Sequence, residues 1–417
     1  MTEAVQVLDI RLHDTRVGYL AGDRGGRNAF TFAPEYVAMG PARPTLGLAF
    51  NRLLDEGPPP SQRSRHRLPS WFSNLLPEGA LRDLVASRLK VHSDNEFPIL
   101  AALGADLPGA VSAAPLSGQE IPDIALQGFD REALADPPTE SAEGKGFSLA
   151  GVQMKFSMKR HGGRYTLLHP QEPGDWIVKT PSVSHPFVPV NEFSVMRLAE
   201  AAGIPIPEIE LVPLERLEGL PALSLPPDEQ WAYAIRRFDR AGGGKIHMED
   251  LAQVMNVRAN DKYGRTNYET LGRILDAELL NPAQGLRDYV QRLMVNILLA
   301  NGDAHLKNWS LLYPDRRTPI LAPAYDLLFT QVYVEGEDGL ALNLAKNKHY
   351  YDFSLDHWRR FAKKTGLDEK QVLSAVREVV DNARAAWPRL LGTLPMVPEH
   401  QERLIEHWAR LRPEFRI

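Results

Sequence analysis

The first fifty residues alternate apolar and polar positions in short runs, VQVLDIRL, RVGYLAG and NAFTFA, each cut off by Gly or Pro. Alternation with period two between breakers predicts short strands, and so a small β-rich unit. The period then lengthens. In WFSNLLPEGALRDLVASRL, Pro77 and Gly79 precede Leu81, Leu84 and Val85 at helical spacing. Strand patterns return in KFSMKR, RYTLLH and DWIVKT, and a helix follows in NEFSVMRLAEAA, stopped by Gly203 and Pro205. WAYAIRRFDR reads as another strand, and beyond about residue 248 the pattern is mostly helical.

The clearest helix carries Leu286, Tyr289, Val290, Leu293, Met294, Ile297 and Leu298 at offsets of three and four, a wide apolar stripe. Asn301-Gly302 supplies a stop. Next come the strand-like pieces WSLLY and PILAP around the turn PDRRT. Residues 116–146 are rich in Gly, Pro, Glu and Asp and predict a linker. The reading is therefore α+β. It has a β-rich N-terminal domain over 1–115, a linker over 116–146, a lobe of strands plus one helix over 147–240, and a helical lobe over 241–417.

Composition narrows the classes. A chain of 417 residues with 43% apolar content has room for a sizeable core. Its 48 basic and 53 acidic residues leave a net charge of −5, which argues against a broad nucleic-acid surface. There is no cysteine, so disulfides, thiolate metal sites and cysteine nucleophiles are excluded. MTEAVQVLDIRLHD is too charged for a signal peptide, and LMVNILLA is too short to span a bilayer. These features predict a soluble, cytoplasmic protein without membrane contact.

The candidate chemistry gathers after the long helix, in NGDAHLKNWS. Asp303 and Asn308 stand five residues apart, the interval between the catalytic-loop Asp and Asn of protein kinases. Asp326 follows in LAPAYDLLFT, placed to return beside them through the strand pair. A hard cation such as Mg²⁺ takes such oxygens together with ATP phosphates. By itself the spacing reads equally as a polar loop with an Asx-turn. Lys179 lies in the apolar run WIVKTP and needs a partner if buried. Glu192 offers one in the next helix, in the order of the kinase Lys and Glu. A strand-edge Lys with a solvated head is the other reading. In WAYAIRRFDR, backbone groups of Arg236, Arg237 and Phe238 could read adenine and Asp239 the ribose; an amphipathic strand with a charged turn fits the same letters. FSLAGVQMKF has a single Gly and is neither G-x-G-x-x-G nor a Walker motif. GGGK at 242–245 reads as a hairpin turn.

Taken together these pieces resemble the HipA family of serine/threonine kinases, the toxins of bacterial toxin–antitoxin pairs. The resemblance rests on S-x-x-G-x-Q-x-K (Ser148, Gly151, Gln153, Lys155), Lys179, Asn191-Glu192, RFDR (Arg237 to Arg240), D-x-H-x-K-N (Asp303, His305, Lys307, Asn308) and Tyr325-Asp326, and on WFSNLLPEGALRDLVASRL near the N-terminus. It implies a two-lobed protein-kinase-like fold, with Asp303 as catalytic base, Asn308 and Asp326 as Mg²⁺ ligands, and Lys179 on the ATP phosphates. Residues 236–238 would contact adenine and Asp239 the ribose. Ser148 would be a self-phosphorylation site whose added charge expels the phosphate loop. His305 reads as a packed residue, and Lys307 as facing either the γ-phosphate or solvent. The implied partners are a small HipB-like helix-turn-helix antitoxin, through which alone DNA would be reached, and a protein substrate such as an aminoacyl-tRNA synthetase. Arg236 is a departure, since family members commonly carry an acidic residue there. Two other readings stay open: a small-molecule kinase of the same architecture, and a non-catalytic partner of a DNA-binding repressor.

Overall fold

A computed structural model describes residues 4–23, 25–57, 59–117, 120–135, 149–150 (backbone only), 153–167, 174–221, 223–263 and 266–417. Ser148 and Gly151 lie outside the described residues.

The alternating runs at the start form β1 (Val5–Leu12), β2 (Thr15–Asp23) and β3 (Arg27–Phe32), joined by β4 (Gln62–Arg65) and β5 (Val111–Pro115) in an antiparallel sheet of order β4-β3-β2-β1-β5. From Val17 onward β2 is buried on both faces, where the alternation predicted one. The polar-looking positions are small ones that let rings approach: a Cβ on Gly18 would stand 2.8 Å from the Phe30 ring, and one on Gly22 2.5 Å from the Phe97 ring. Helices α1 (Pro34–Ala38), α2 (Leu48–Asp55), α3 (Ser70–Ser73), α4 (Gly79–Arg88) and α5 (Glu96–Leu103) accompany this sheet. Phe30, Phe32, Phe50, Trp71 and Phe72 form its aromatic centre, with Phe30 and Phe72 centroids 4.5 Å apart.

Part of the segment expected as a linker packs on the N-terminal domain. Ile121, Ala125, Leu126 and Ala133 are buried in the N-terminal core, and the Ala135 N–H donates to the Val5 carbonyl at 2.9 Å. Scattered apolar residues among Gly, Pro and Asp are enough to tie a segment to an existing core.

The next lobe begins with β6 (Leu149–Ala150) and contains β7 (Lys155–His161), β8 (Arg164–Leu167), β9 (Trp176–Lys179), β10 (Ile209–Pro213), β11 (Leu217–Glu218), β12 (Leu223–Ser224) and β13 (Trp231–Arg236). Six of these make a sheet of order β10-β13-β9-β7-β8-β11, and α6 (Val188–Ala201) packs against β13 and β10. The GGGK turn joins β14 (Arg240–Ala241) to β15 (Gly244–Lys245), with Gly242 and Gly243 both at positive φ, as a tight hairpin requires.

The helical lobe holds β16 (His247–Asp250), α7 (Leu251–Val254), α8 (Tyr268–Glu278), α9 (Pro282–Leu298), β17 (Ser310–Tyr313), β18 (Ile320–Leu321), α10 (Leu355–Thr365), α11 (Glu369–Leu391) and α12 (Pro398–Arg410). All seven stripe residues of α9 are buried, and so are Gln291, Arg292, Val295 and Asn296, because neighbours enclose the helix on every side. β17 and β18 pair antiparallel, as the sequence predicted. The helix stop comes earlier than Gly302: Ala300 takes the left-handed conformation at φ 47°. Gly302 serves close approach instead, since a Cβ there would lie 2.4 Å from the Glu337 carboxyl group.

Candidate active site

The end of α9 fixes the loop that carries Asp303. Asn301 is buried, donates to Asn296 Oδ1 at 2.8 Å, and accepts from the Asp303 N–H at 3.2 Å. The Gly302 N–H donates to the Thr330 hydroxyl at 2.7 Å, and that hydroxyl donates on to Glu337. Asn308 Nδ2 donates to the Asp303 carbonyl at 2.7 Å, closing the loop and leaving Oδ1 as the acceptor on offer. The Ala304 carbonyl accepts from Tyr268 and Trp309. Backbone held this firmly leaves the Asp303 carboxylate, 43% exposed, as the outward group. The Tyr263 hydroxyl donates to it. Burial, followed by the nearby Asp303 charge, holds that phenol well above its usual range.

Lys179, at the end of β9, is 4% exposed, and its ammonium is shared by Glu192 from α6 and Asp326. Burial opposes its charge, but the two carboxylates outweigh burial and hold the ammonium above its ordinary range. Burial would also raise the Asp326 carboxyl; Lys155 and Lys179 overcome it and hold that group well below the carboxylate range. Glu192, fully buried, is pushed up to about 7, chiefly by burial. Lys155 reaches Asp326 at 3.2 Å. Asp326 stands at φ 55°, a left-handed conformation uncommon for a residue with a side chain and concentrated at functional sites. Its neighbour Tyr325 donates to the Lys307 carbonyl at 2.8 Å, which ties Asp326 to the catalytic loop.

Other residues singled out from sequence fall differently. Gln153 has a buried Nε2 without a partner among the described residues. His305 is 4% exposed, with its Nε2 3.8 Å from Asp303, its pKa lowered by burial, and its buried Nδ1 without a hydrogen-bond partner among the described residues. Lys307 is mostly shielded from solvent: its ammonium lies 2.9 Å from Glu78 and donates to the Asn74 carbonyl at 3.1 Å. The ribose contact expected of Asp239 does not fit this geometry. Its side chain is buried and accepts from Arg237, Arg240 and the Gly109 N–H. Arg237 and Arg240 also pair with Asp106, so RFDR joins the lobes to the N-terminal domain. Of the backbone groups expected to read adenine, the Arg236 and Arg237 N–H groups are taken by the Glu208 and Asp175 carbonyls. Among the described residues nothing accepts from the Phe238 N–H; its ring lies 5.3 Å from Tyr325. Sequence reasoning missed Tyr263, Glu78 and Thr330; Glu78 stands within WFSNLLPEGALRDLVASRL, but nothing in that stretch singles it out.

Asp326 and Asn308 supply oxygen donors of the kind a hard cation takes. Among the described residues no group of three or more His, Asp or Glu side chains is placed to hold a metal. Two protein oxygens with phosphate and water as the remaining ligands is the usual arrangement for Mg²⁺ in kinases, and the residues fit it.

Comparison with known proteins decides the family. Residues 147–387 match the HipA-like C-terminal domain and residues 8–114 the HipA N-terminal domain. The chain belongs to the HipA family. It is thereby a kinase with a two-lobed α+β fold behind an N-terminal domain. The candidate kinase Y4dM of Sinorhizobium fredii is 40% identical, over 97% of this chain and 96% of its own. The serine/threonine-protein kinase toxin HipA of Shewanella oneidensis is 25% identical, over 98% of this chain and 94% of its own. The solved complex of Shewanella HipA with HipB and operator DNA has a similar fold: TM-score 0.71, 21% identity, 97% of each chain covered. Among the described residues no helix is long and apolar enough to cross a membrane.

Proposed function

We propose that this HipA-family kinase transfers the γ-phosphoryl group of Mg-ATP to a serine or threonine hydroxyl of a protein, as the toxin of a toxin–antitoxin pair. The observation that carries this is the joining of two sets through Tyr325: Lys179, Glu192 and Asp326 on one side, and Asp303 with Asn308 on the other.

Lys179 holds the α- and β-phosphates, with Glu192 fixing its ammonium. Asn308 and Asp326 would hold Mg²⁺, which neutralises phosphate charge when bound. Asp303 accepts the proton as the substrate hydroxyl oxygen bonds to the γ-phosphorus; the bond to the β–γ bridging oxygen breaks and ADP leaves. In the structure a hydroxyl, that of Tyr263, already donates to Asp303, so the carboxylate is open to such a donor. The Phe238 N–H is the backbone group left for adenine. Ser148 is proposed as a self-phosphorylation site, and a small HipB-like helix-turn-helix protein as the partner through which the chain reaches DNA. A translation component such as an aminoacyl-tRNA synthetase is the proposed substrate class.

The experiment is incubation with γ-labelled Mg-ATP and a cell lysate cleared of small molecules. Label on one lysate protein at Ser or Thr is expected. Label appearing only when small molecules are restored would overturn the protein-kinase reading in favour of a small-molecule kinase.

A further inference from the structure

The N-terminal domain does more than lie beside the kinase. Glu249 of β16 accepts from the Leu48 N–H at 2.9 Å and the Trp71 indole N–H at 3.1 Å, both from the N-terminal domain, and from Tyr313 of its own lobe. Gln253 donates to the Trp71 carbonyl at 3.1 Å, and Asn74 donates to the Val257 carbonyl at 2.8 Å. These are buried or half-buried polar groups satisfied across the seam, so undocking would strand them. The seam delivers the start of α4 to the catalytic loop.

Glu78, the residue just before α4, lies 2.9 Å from Lys307 and 2.9 Å from Lys262. Lys307 sits inside D-x-H-x-K-N, one residue before Asn308. Lys262 precedes Tyr263, whose hydroxyl donates to Asp303. One carboxylate from another domain therefore ties together the segment that carries the base and the segment that carries the base's hydrogen-bond partner. Both ammonium groups are mostly shielded, 15% and 20% exposed, while Glu78 is 36% exposed. Lys307 is further held by the Asn74 carbonyl, 3.1 Å away, and lies 3.9 Å from Asp250.

We infer that Glu78 is a positioning residue of the kinase: through Lys307 and Lys262 it sets the Asp303 loop, so the catalytic site is complete only with the N-terminal domain docked. This rests on the proposed role of Asp303. Loop placement matters because an error near 1 Å at a reacting group costs about 100-fold in rate. Glu78 acts through Lys307 and Lys262, so its loss acts on turnover and leaves nucleotide binding in place.

The test uses the full chain with Glu78→Gln, Glu78→Asp, Lys307→Met and the double variant Glu78→Gln/Lys307→Met. Expected are a roughly 10- to 100-fold fall in kcat for Glu78→Gln, a KM for ATP within about twofold of the parent, and partial recovery in Glu78→Asp. The double variant should lose little more than the worse single, because both remove one coupling. Amide hydrogen exchange over residues 301–309 should quicken in Glu78→Gln while the N-terminal sheet keeps its protection. Parental kcat in Glu78→Gln, or a loss matched by weaker ATP binding or additive with Lys307→Met, overturns the inference. If the parent transfers no phosphate, the proposed function fails instead. The exchange experiment then still decides the geometry: unchanged exchange over 301–309 overturns it.

Discussion

Lys179 lies between two carboxylates, and it is Asp326, from 147 residues further along the chain, as much as Glu192 that holds it. In a nucleotide-bound kinase that Asp faces the metal and the Lys faces phosphate. Here each neutralises the other, with Lys155 helping. Phosphate and cation together can replace this pairing without leaving a buried charge exposed to nothing. Lys179→Met should therefore lower phosphotransfer by roughly 10²- to 10³-fold, the scale for loss of one charge-stabilising group. Glu192→Gln should lose less, since the amide oxygen still accepts from the Lys179 ammonium. Steady-state rates at saturating Mg-ATP check both.

Asp239 separates a structural role from a nucleotide role. Its carboxylate offsets Arg237 and Arg240, both largely buried, and Asp106 is their other partner. Asp239→Asn leaves charge uncompensated in a shielded site, which typically costs about 3–5 kcal/mol. The melting temperature should fall by several degrees or more, while ATP affinity of the folded protein stays within about twofold. A variant with parental stability and weakened ATP binding would restore the ribose reading.

Two buried histidines give a pH signature. His407 donates through Nε2 to the Ile297 carbonyl and His247 through Nε2 to the Leu46 carbonyl. Burial pushes both down to about 4. Between pH 6.5 and about 4 the unfolded chain takes up protons that the folded chain refuses, so their contribution to stability falls as pH drops through that window. Glu249 and Asp250 run the other way: burial pushes them up to about 7 and about 6, so the fold keeps their protons and gains as pH falls. The histidine part is read directly by NMR titration, where both imidazoles should stay neutral at pH 5.

Gly302 tests the loop's anchoring. Any side chain there meets Glu337, whose carboxylate orients the Thr330 hydroxyl that holds the Gly302 N–H. Gly302→Ala should lower kcat by about tenfold or more through displacement of Asp303, with a change in melting temperature of only a few degrees. Parental turnover would show that Glu337 yields without moving the loop.

What could be read from sequence was local. The α9 stripe was legible because seven apolar positions repeat at helical spacing, and the β17–β18 pair because a polar turn separates two apolar runs. Lys179 and Glu192 were legible because a Lys in an apolar strand demands a partner, and the next helix offers one. The rest depends on contacts that no local pattern encodes. Glu78 meets Lys262 across 184 residues, and Asp106 meets Arg237 across 131. RFDR therefore looked like a nucleotide motif when its charges face a neighbouring domain. Tyr263 carries no motif at all, and only the fold brings it to Asp303.

The most direct measurement is phosphate transfer from γ-labelled Mg-ATP by the parent and by Asp303→Asn, with nucleotide binding followed in parallel. The account requires transfer by the parent, a loss of at least roughly 100-fold in the variant, and binding of Mg-ATP in both. Undiminished transfer by Asp303→Asn would contradict it, because the proton acceptor would then lie elsewhere.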